Sequence, residues 1–184
     1  MAVVSNGTTI IDAGALGTGV ATGKLVLLST QTASSSSTIS FTSSINSTYD
    51  SYIFKFINIH PATNETQFAF QVDTGTNTNY NQTITSSYFR SLHSEDGGTT
   101  ALQYKGEQDQ AQGTSFQKIC INVGNQNDES CSGTLQIFAP ADTTFVKHGF
   151  LGGYVNTATA LTRVQFKMIS GNFDGTIKMY GVGG

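Results

Sequence analysis

Tyr52-Ile53-Phe54-Lys55-Phe56-Ile57-Asn58-Ile59 is the stretch that decides the fold, because apolar residues occupy both alternating sets of positions in it. In an extended strand, successive side chains point to opposite faces. Phe54 and Phe56 would therefore lie on one face of the strand. Ile53, Ile57 and Ile59 would lie on the other. This pattern predicts a central β-strand that is covered on both sides.

The segments downstream alternate between apolar and polar residues, as sheet strands do. Phe68, Phe70 and Val72 form one such set, and residues 60–65 before it contain turn-forming residues, so a hairpin joins it to the first stretch. Three further sets lie within residues 119–123, 135–137 and 164–168. The turn Gly171-Asn172-Phe173-Asp174-Gly175 then predicts a last hairpin between residues 164–169 and 177–182.

About eight strands are expected after residue 37, separated by Gly-, Asn- and Ser-rich turns. This organisation predicts an all-β fold, an antiparallel β-sandwich of the jelly-roll type. Helix-tolerant residues are concentrated only in residues 101–112, so at most one short helix is expected there.

Residues 1–37 differ from the remainder because they contain no Phe, Tyr or His and carry two charged residues, Asp12 and Lys24. We interpret them as an extended N-terminal arm that ends in a Ser-rich linker, Ser34-Ser35-Ser36-Ser37, ahead of a sandwich domain at 38–184. Short β-prone pieces that cannot bury both faces alone are suited to pairing with another chain. The predicted docking residues of the arm are Thr8, Thr9, Ile10, Ile11 and Leu16.

Charge is sparse in this chain. It has 9 Lys and Arg against 12 Asp and Glu, a net charge of −3, and charged residues make up 11% of the sequence. A basic stripe that could neutralise phosphates is missing, which argues against nucleic acid and anionic membranes as partners. The sequence also has no apolar run of membrane-spanning length and no typical signal peptide at its start, so we expect a soluble protein without a classical secretion signal.

Catalytic and metal-binding patterns are weak. The acidic clusters Glu95-Asp96, Glu107 with Asp109, and Asp128-Glu129 lie in polar stretches and are interpreted as solvated loop charge. Residues 125–129 offer oxygen ligands without the order of a calcium loop, and the three histidines are far apart in sequence. We therefore expect neither an enzyme nor a cofactor or metal site.

Two further residue sets carry open alternatives. Cys120 and Cys131 could face each other near the open end of a hairpin, although free thiols are the expectation for a chain without a signal peptide. A second set, in the least regular part of the chain, either makes exposed aromatic contacts with sugars or a partner protein, or plugs the ends of the sandwich. It consists of Tyr80, Tyr88, Phe89 and Tyr104.

Several segments resemble small virion structural proteins of marine tailed bacteriophages. They are residues 5–15, 39–41, 52–61, 114–116, 123–133, 144–148 and 164–172. The residues that carry the likeness include Ser5-Asn6-Gly7-Thr8-Thr9-Ile10-Ile11-Asp12 and Val123-Gly124-Asn125-Gln126-Asn127-Asp128-Glu129. The resemblance implies a non-enzymatic β-sandwich that forms part of a virus particle assembled in a bacterial cytoplasm.

Two roles compete within that context. In the first, the protein is a capsid decoration or cement protein that docks on the major capsid protein through its arm and clusters as a homo-oligomer, with a trimer favoured. In the second, it is a tail-fibre or receptor-binding module that attaches to tail components and touches host glycans through residues 75–113. A glycan-depolymerising enzyme is a third reading, and no acid pair at a suitable spacing supports it.

Overall fold

The computed structural model describes residues 2–12, 15–16, 25–149 and 152–183. In these residues it is all-β, with sixteen strands and no helix. The strands, in chain order, are β1 (Val3–Ser5), β2 (Thr8–Asp12), β3 (Ala15–Leu16), β4 (Leu25–Ser36), β5 (Ile39–Phe41), β6 (Ser51–Pro61), β7 (Thr66–Thr74), β8 (Ile84–Ser86), β9 (Phe89–His93), β10 (Thr100–Tyr104), β11 (Gln117–Val123), β12 (Cys131–Phe138), β13 (Lys147–Gly149), β14 (Gly153–Val155), β15 (Leu161–Met168) and β16 (Phe173–Val182).

Two antiparallel sheets form the body of the protein. The larger has seven strands in the order β4-β16-β6-β12-β13-β14-β8, and the smaller has four in the order β11-β7-β15-β5. Two small sheets stand apart from them, β1-β2-β3 near the N-terminus and the hairpin β9-β10. The predicted antiparallel β-sandwich is confirmed. The two predicted hairpins are wrong, because β6 and β7, and likewise β15 and β16, belong to different sheets. None of the described residues belongs to a helix long and apolar enough to cross a membrane.

Strand β6 occupies the central position that the sequence predicts, paired with β16 on one side and β12 on the other. Tyr52, Phe54 and Phe56 point into the core, but Ile57 on the opposite face is 39% exposed, so that face is not fully covered. Ile59 is fully buried on the same side as the Phe residues, contrary to the predicted alternation.

A β-bulge at Asn58 explains this change of face. Asn58 has a φ of +51°, and the pairing of β6 shifts register there against both neighbouring strands. An extra residue in one strand reverses the side-chain alternation beyond it, so Ile59 turns inward. Gly175 lies opposite with a φ of +136°, and a Cβ there would come within 2.8 Å of the Asn58 carbonyl oxygen. The bulge therefore depends on a glycine in β16.

The core consists of aromatic rings contributed by both sheets. The ring centroids of Phe54 in β6 and Phe166 in β15 are 5.4 Å apart. Those of Phe56 in β6 and Phe68 in β7 are 5.3 Å apart. Phe68 and Phe166 stack within the smaller sheet at 5.7 Å. Phe41 packs edge-on against both Phe54 and Phe166. These contacts join the two sheets through a single cluster.

The N-terminal region differs from the predicted arm and linker. Residues 25–36 form β4, a twelve-residue edge strand that pairs along β16. Ser34, Ser35 and Ser36 lie within this strand, so the predicted Ser-rich linker is wrong as a local structure. The Ser35 N–H donates to Asp174, and Asn172 donates to the Ser35 carbonyl, which explains why polar serines fit at the sheet edge. The predicted boundary at residue 37 thus follows a strand of the main sheet.

The described part of the arm forms a small antiparallel sheet in which β2 pairs with both β1 and β3. It is folded locally rather than extended throughout. Residues 13–14 and 17–24 of the predicted arm lie outside the described residues. The helix considered for residues 101–112 is replaced by strand β10 and a loop, because residues 100–104 pair with β9 in register.

Replacing Phe166 with Ala should lower the free energy of unfolding by about 3–5 kcal/mol, since it leaves a cavity where the rings of both sheets meet. Urea denaturation measures the change. Phe145→Ala is the matched control, because that side chain is 69% exposed and should change stability by about 0.5 kcal/mol or less. Equal losses for the two variants would contradict the assignment of the core.

Candidate functional site

The hairpin β9-β10 presents an apolar face to solvent. Its register pairs Tyr104 with Phe89 and Leu102 with Ser91. Phe89, Leu102 and Tyr104 are 67%, 81% and 59% exposed, and the rings of Phe89 and Tyr104 lie 5.3 Å apart. We call these three residues the hairpin face. Large apolar side chains exposed together at one place are typical of a docking surface.

The opposite side of the same hairpin is half-buried. Arg90 and Leu92 of β9 and Gln103 of β10 lie there. The Arg90 Nη2 donates to Gln103 Oε1 at 2.7 Å, while the buried Arg90 Nε has no hydrogen-bond partner among the described residues. Hydrogen bonds at the tip of the hairpin hold its turn, where Asp96 accepts from Ser94 Oγ and the Gly98 N–H. These bonds lower the pKa of the Asp96 carboxyl, the Ser94 bond most.

The four aromatic residues predicted as exposed contacts divide between both alternatives. Phe89 and Tyr104 belong to the hairpin face, and the Tyr104 hydroxyl donates to Asp109, a bond that raises the pKa of the phenol. Tyr88 is half-buried. Tyr80 is buried, with its N–H donating to the carboxylate of Asp73, so an exposed role for it is wrong. The burial of Tyr80 agrees with the alternative in which these residues plug the ends of the sandwich.

Sequence reasoning missed Leu102, the most exposed member of the hairpin face. The signal for it was present, because residues 89–93 and 100–104 each alternate and are joined by a turn at 94–99 rich in Ser, Asp and Gly. Assigning residues 101–112 to a possible helix concealed that alternation.

The predicted docking residues of the arm lie on β2 and β3. Thr9 and Ile10 are half-buried and Ile11 is 38% exposed. Thr8 and Leu16 are strand residues whose side chains lie outside the described set. Val3 and Val4 on β1 are 53% and 56% exposed, so the small sheet offers additional apolar side chains that the prediction did not include.

The acidic clusters lie at the surface of the protein, as the sequence predicts. Glu95, Asp96, Glu107, Asp128 and Glu129 are exposed, and Glu107 pairs with Lys105 at 3.4 Å. Across residues 2–12, 15–16, 25–149 and 152–183, no three His, Cys, Asp or Glu side chains come together as a metal site would require. The His60 ring shares a hydrogen bond with the Glu129 carbonyl oxygen at 2.6 Å, which assigns that histidine a role in holding the 124–130 loop.

Cys120 and Cys131 meet between the two sheets. Cys120 lies on β11 of the smaller sheet and Cys131 begins β12 of the larger one, and both are free thiols packed against the core. The Cys131 S–H donates to Cys120, which lowers the pKa of the Cys120 thiol and raises that of Cys131. Burial also raises the pKa of Cys131, because a charged thiolate is poorly solvated there.

A cavity of about 130 Å³ opens between the sheets beside the hairpin. The surfaces that line it are mostly apolar and come from β7, β8, β9, β11, β12, β13 and β14. The lining residues are Phe70, Ile84, Ser86, Ser87, Tyr88, Phe89, Gln117, Lys118, Ile119, Leu135, Ile137, Lys147, His148, Gly149, Gly153, Tyr154 and Val155. Tyr88 faces this space, and desolvation there raises the pKa of its phenol.

Replacing Cys131 with Val should raise the pKa of the Cys120 thiol above its value in the native protein, because the S–H that stabilises the thiolate is removed while burial remains. The ultraviolet absorbance of the thiolate as a function of pH measures this change. In the reciprocal variant Cys120→Val, the pKa of Cys131 should fall. An unchanged titration of Cys120 in the first variant would contradict the contact.

No match to this chain is found among models of known protein families, curated proteins or solved structures.

Proposed function

We propose that this protein is a non-enzymatic structural component of a virus particle, which docks on the head as a capsid decoration or cement protein. The observation that carries the proposal is the hairpin face, an exposed apolar surface on two strands that pair only with each other among the described residues. The virion context comes from the resemblance of residues 5–15, 52–61 and 123–133 to phage structural proteins.

The hairpin face has the properties of a surface that another subunit covers. A two-stranded hairpin is marginally stable by itself in water. Burying Phe89, Leu102 and Tyr104 against a partner contributes about 1.5–3 kcal/mol for each side chain. Aromatic residues at the centre of an interface supply a large share of binding energy.

The N-terminal region offers a second way to dock. Strand β4 is one of the two outer strands of the seven-stranded sheet, and its Leu25 and Leu27 are 44% and 51% exposed. An edge strand of this length presents unpaired N–H and C=O groups to which a further strand can add. The β1-β2-β3 sheet provides short strands with exposed Val3, Val4 and Ile11. We propose that these elements pair with neighbouring subunits, in an assembly for which we favour a trimer.

Sparse charge supports docking by apolar contact and main-chain hydrogen bonds. Among the described residues there is one ion pair, between Lys105 and Glu107. The affinity of an interface that uses few charges changes little with salt concentration. Many copies on one particle would add avidity to each weak contact.

Deleting residues 2–24 should remove β1, β2 and β3 while leaving β4 and both main sheets intact. We expect the truncated chain to fold and to bind particles lacking the protein about tenfold more weakly or worse, because the added strands and their main-chain hydrogen bonds are lost. Occupancy on purified particles, measured by quantitative gel analysis, provides the readout. Undiminished occupancy would remove the arm from the docking mechanism.

The double variant Phe89→Ser with Leu102→Ser should weaken particle binding about a hundredfold or more, from the apolar area that two large side chains no longer bury. Phe145→Ser is the control, since it changes an equally exposed ring outside the hairpin. Circular dichroism checks that each variant is folded. Equal binding by the double variant and the control would overturn docking through the hairpin face.

The second candidate role is a receptor-binding module of the tail, and one observation favours it. The paired rings of Phe89 and Tyr104 lie within residues 75–113 and are open to solvent, as rings that stack on sugars are. Immunogold labelling separates the roles. Label on capsid faces and vertices supports decoration, whereas label confined to the tail, with host-glycan binding lost in the double variant, supports the receptor role.

A further inference from the structure

The cavity between the sheets combines an apolar lining with a buried cation. Lys147 is 1% exposed, and it pairs across the sheet with Val155, which in turn pairs with Ile84. All three side chains are buried and line the cavity. Lys147 therefore lies on the inner face of the larger sheet, where an apolar residue is the ordinary choice.

The Lys147 ammonium has few partners for a buried charge. Its Nζ donates to the Phe145 carbonyl oxygen at 2.6 Å, which uses one of its three hydrogens. No carboxylate of the described chain lies within ion-pair distance of it. Asp142 acts on it at longer range, and desolvation outweighs that attraction, so the pKa of Lys147 is lowered. An anion beside Lys147 would supply the counter-charge that the described residues do not provide within ion-pair distance.

The charges around the cavity have one sign. Lys118 and Lys147 both line it, and none of its described lining residues is Asp or Glu. This arrangement stands out in a chain with only 9 Lys and Arg and a net charge of −3. Tyr88 and Tyr154 add phenol groups that can donate hydrogen bonds to an anion.

We propose that this cavity is a binding site for a small organic anion, a monocarboxylate with an apolar body about the size of a six-membered ring. An apolar cavity of about 150 Å³ holds benzene, and the volume here, about 130 Å³, is similar. The apolar body packs between Phe70, Ile119 and Ile137, and the carboxylate pairs with Lys147. A mainly apolar pocket with a small number of convergent polar groups is typical of a site for a small ligand.

Binding of benzoate and of toluene to the full-length protein tests the proposal. The two probes share a ring and differ in charge, and calorimetry together with NMR chemical-shift changes follows each of them. We expect saturable benzoate binding, with shifts at Lys147, Ile119 and Val155, and an affinity about tenfold or more above that for toluene, since a charge-assisted hydrogen bond is gained. No saturable binding of either probe, or equal affinity for both, would overturn it.

Lys147→Met keeps a long unbranched side chain and removes the charge, and it should weaken benzoate binding about tenfold or more while leaving toluene binding unchanged. Lys167→Met is the matched control, because Lys167 lies over the Phe116 ring and is not among the lining residues. Ile119→Phe fills the cavity and should abolish binding of both probes if the ring occupies it. Benzoate affinity that Lys147→Met leaves unchanged, or that Lys167→Met lowers equally, would overturn the assignment to this cavity.

Discussion

The packing of aromatic rings between the two sheets is the constraint on which the rest of the structure depends. Phe54 and Phe56 on β6 meet Phe68 and Phe166 of the smaller sheet, with ring centroids within 5.3–5.7 Å in the contacts that link them. Because side chains in a strand alternate, burying these rings fixes which face of β6, β7 and β15 is internal. The Asn58 bulge then brings Ile59 to the same side and extends the buried face toward the end of the strand.

Much of this could be predicted from the sequence, because the dominant signal was the period of two in apolar residues. The central position of β6 and the antiparallel sandwich follow from that signal. The two predicted hairpins do not, because alternation shows where a strand lies but not which sheet it joins, and the turns after β6 and β15 lead from one sheet to the other. The inward turn of Ile59 did not, since it depends on a positive φ at Asn58 and on a glycine in another strand, Gly175. A local sequence pattern does not show that Gly175 lies opposite Asn58.

The errors at the two polar segments have a common cause. Composition suggested a linker at Ser34–Ser37, but edge position decides their structure, because β16 supplies hydrogen bonds that a Ser-rich strand can accept without burying apolar side chains. Likewise Leu102 of the hairpin face was missed, because residues 101–112 were considered as a helix and the pairing of β10 with β9 places that side chain beside Phe89 and Tyr104. The cavity was not predictable at all, because seven strands from three sheets contribute to it.

The hairpin face and the cavity share a residue, which would connect the proposed docking to the proposed ligand binding. Phe89 belongs to the exposed face and also lines the cavity, and its neighbour Tyr88 faces the same space. A partner on the hairpin face would therefore contact a residue that also lines the cavity. Because coupling between two binding events is reciprocal, each would alter the affinity of the other by the same factor. In a chain with so little charge, the positive lining of this cavity sets its chemistry apart from that of the apolar surface beside it.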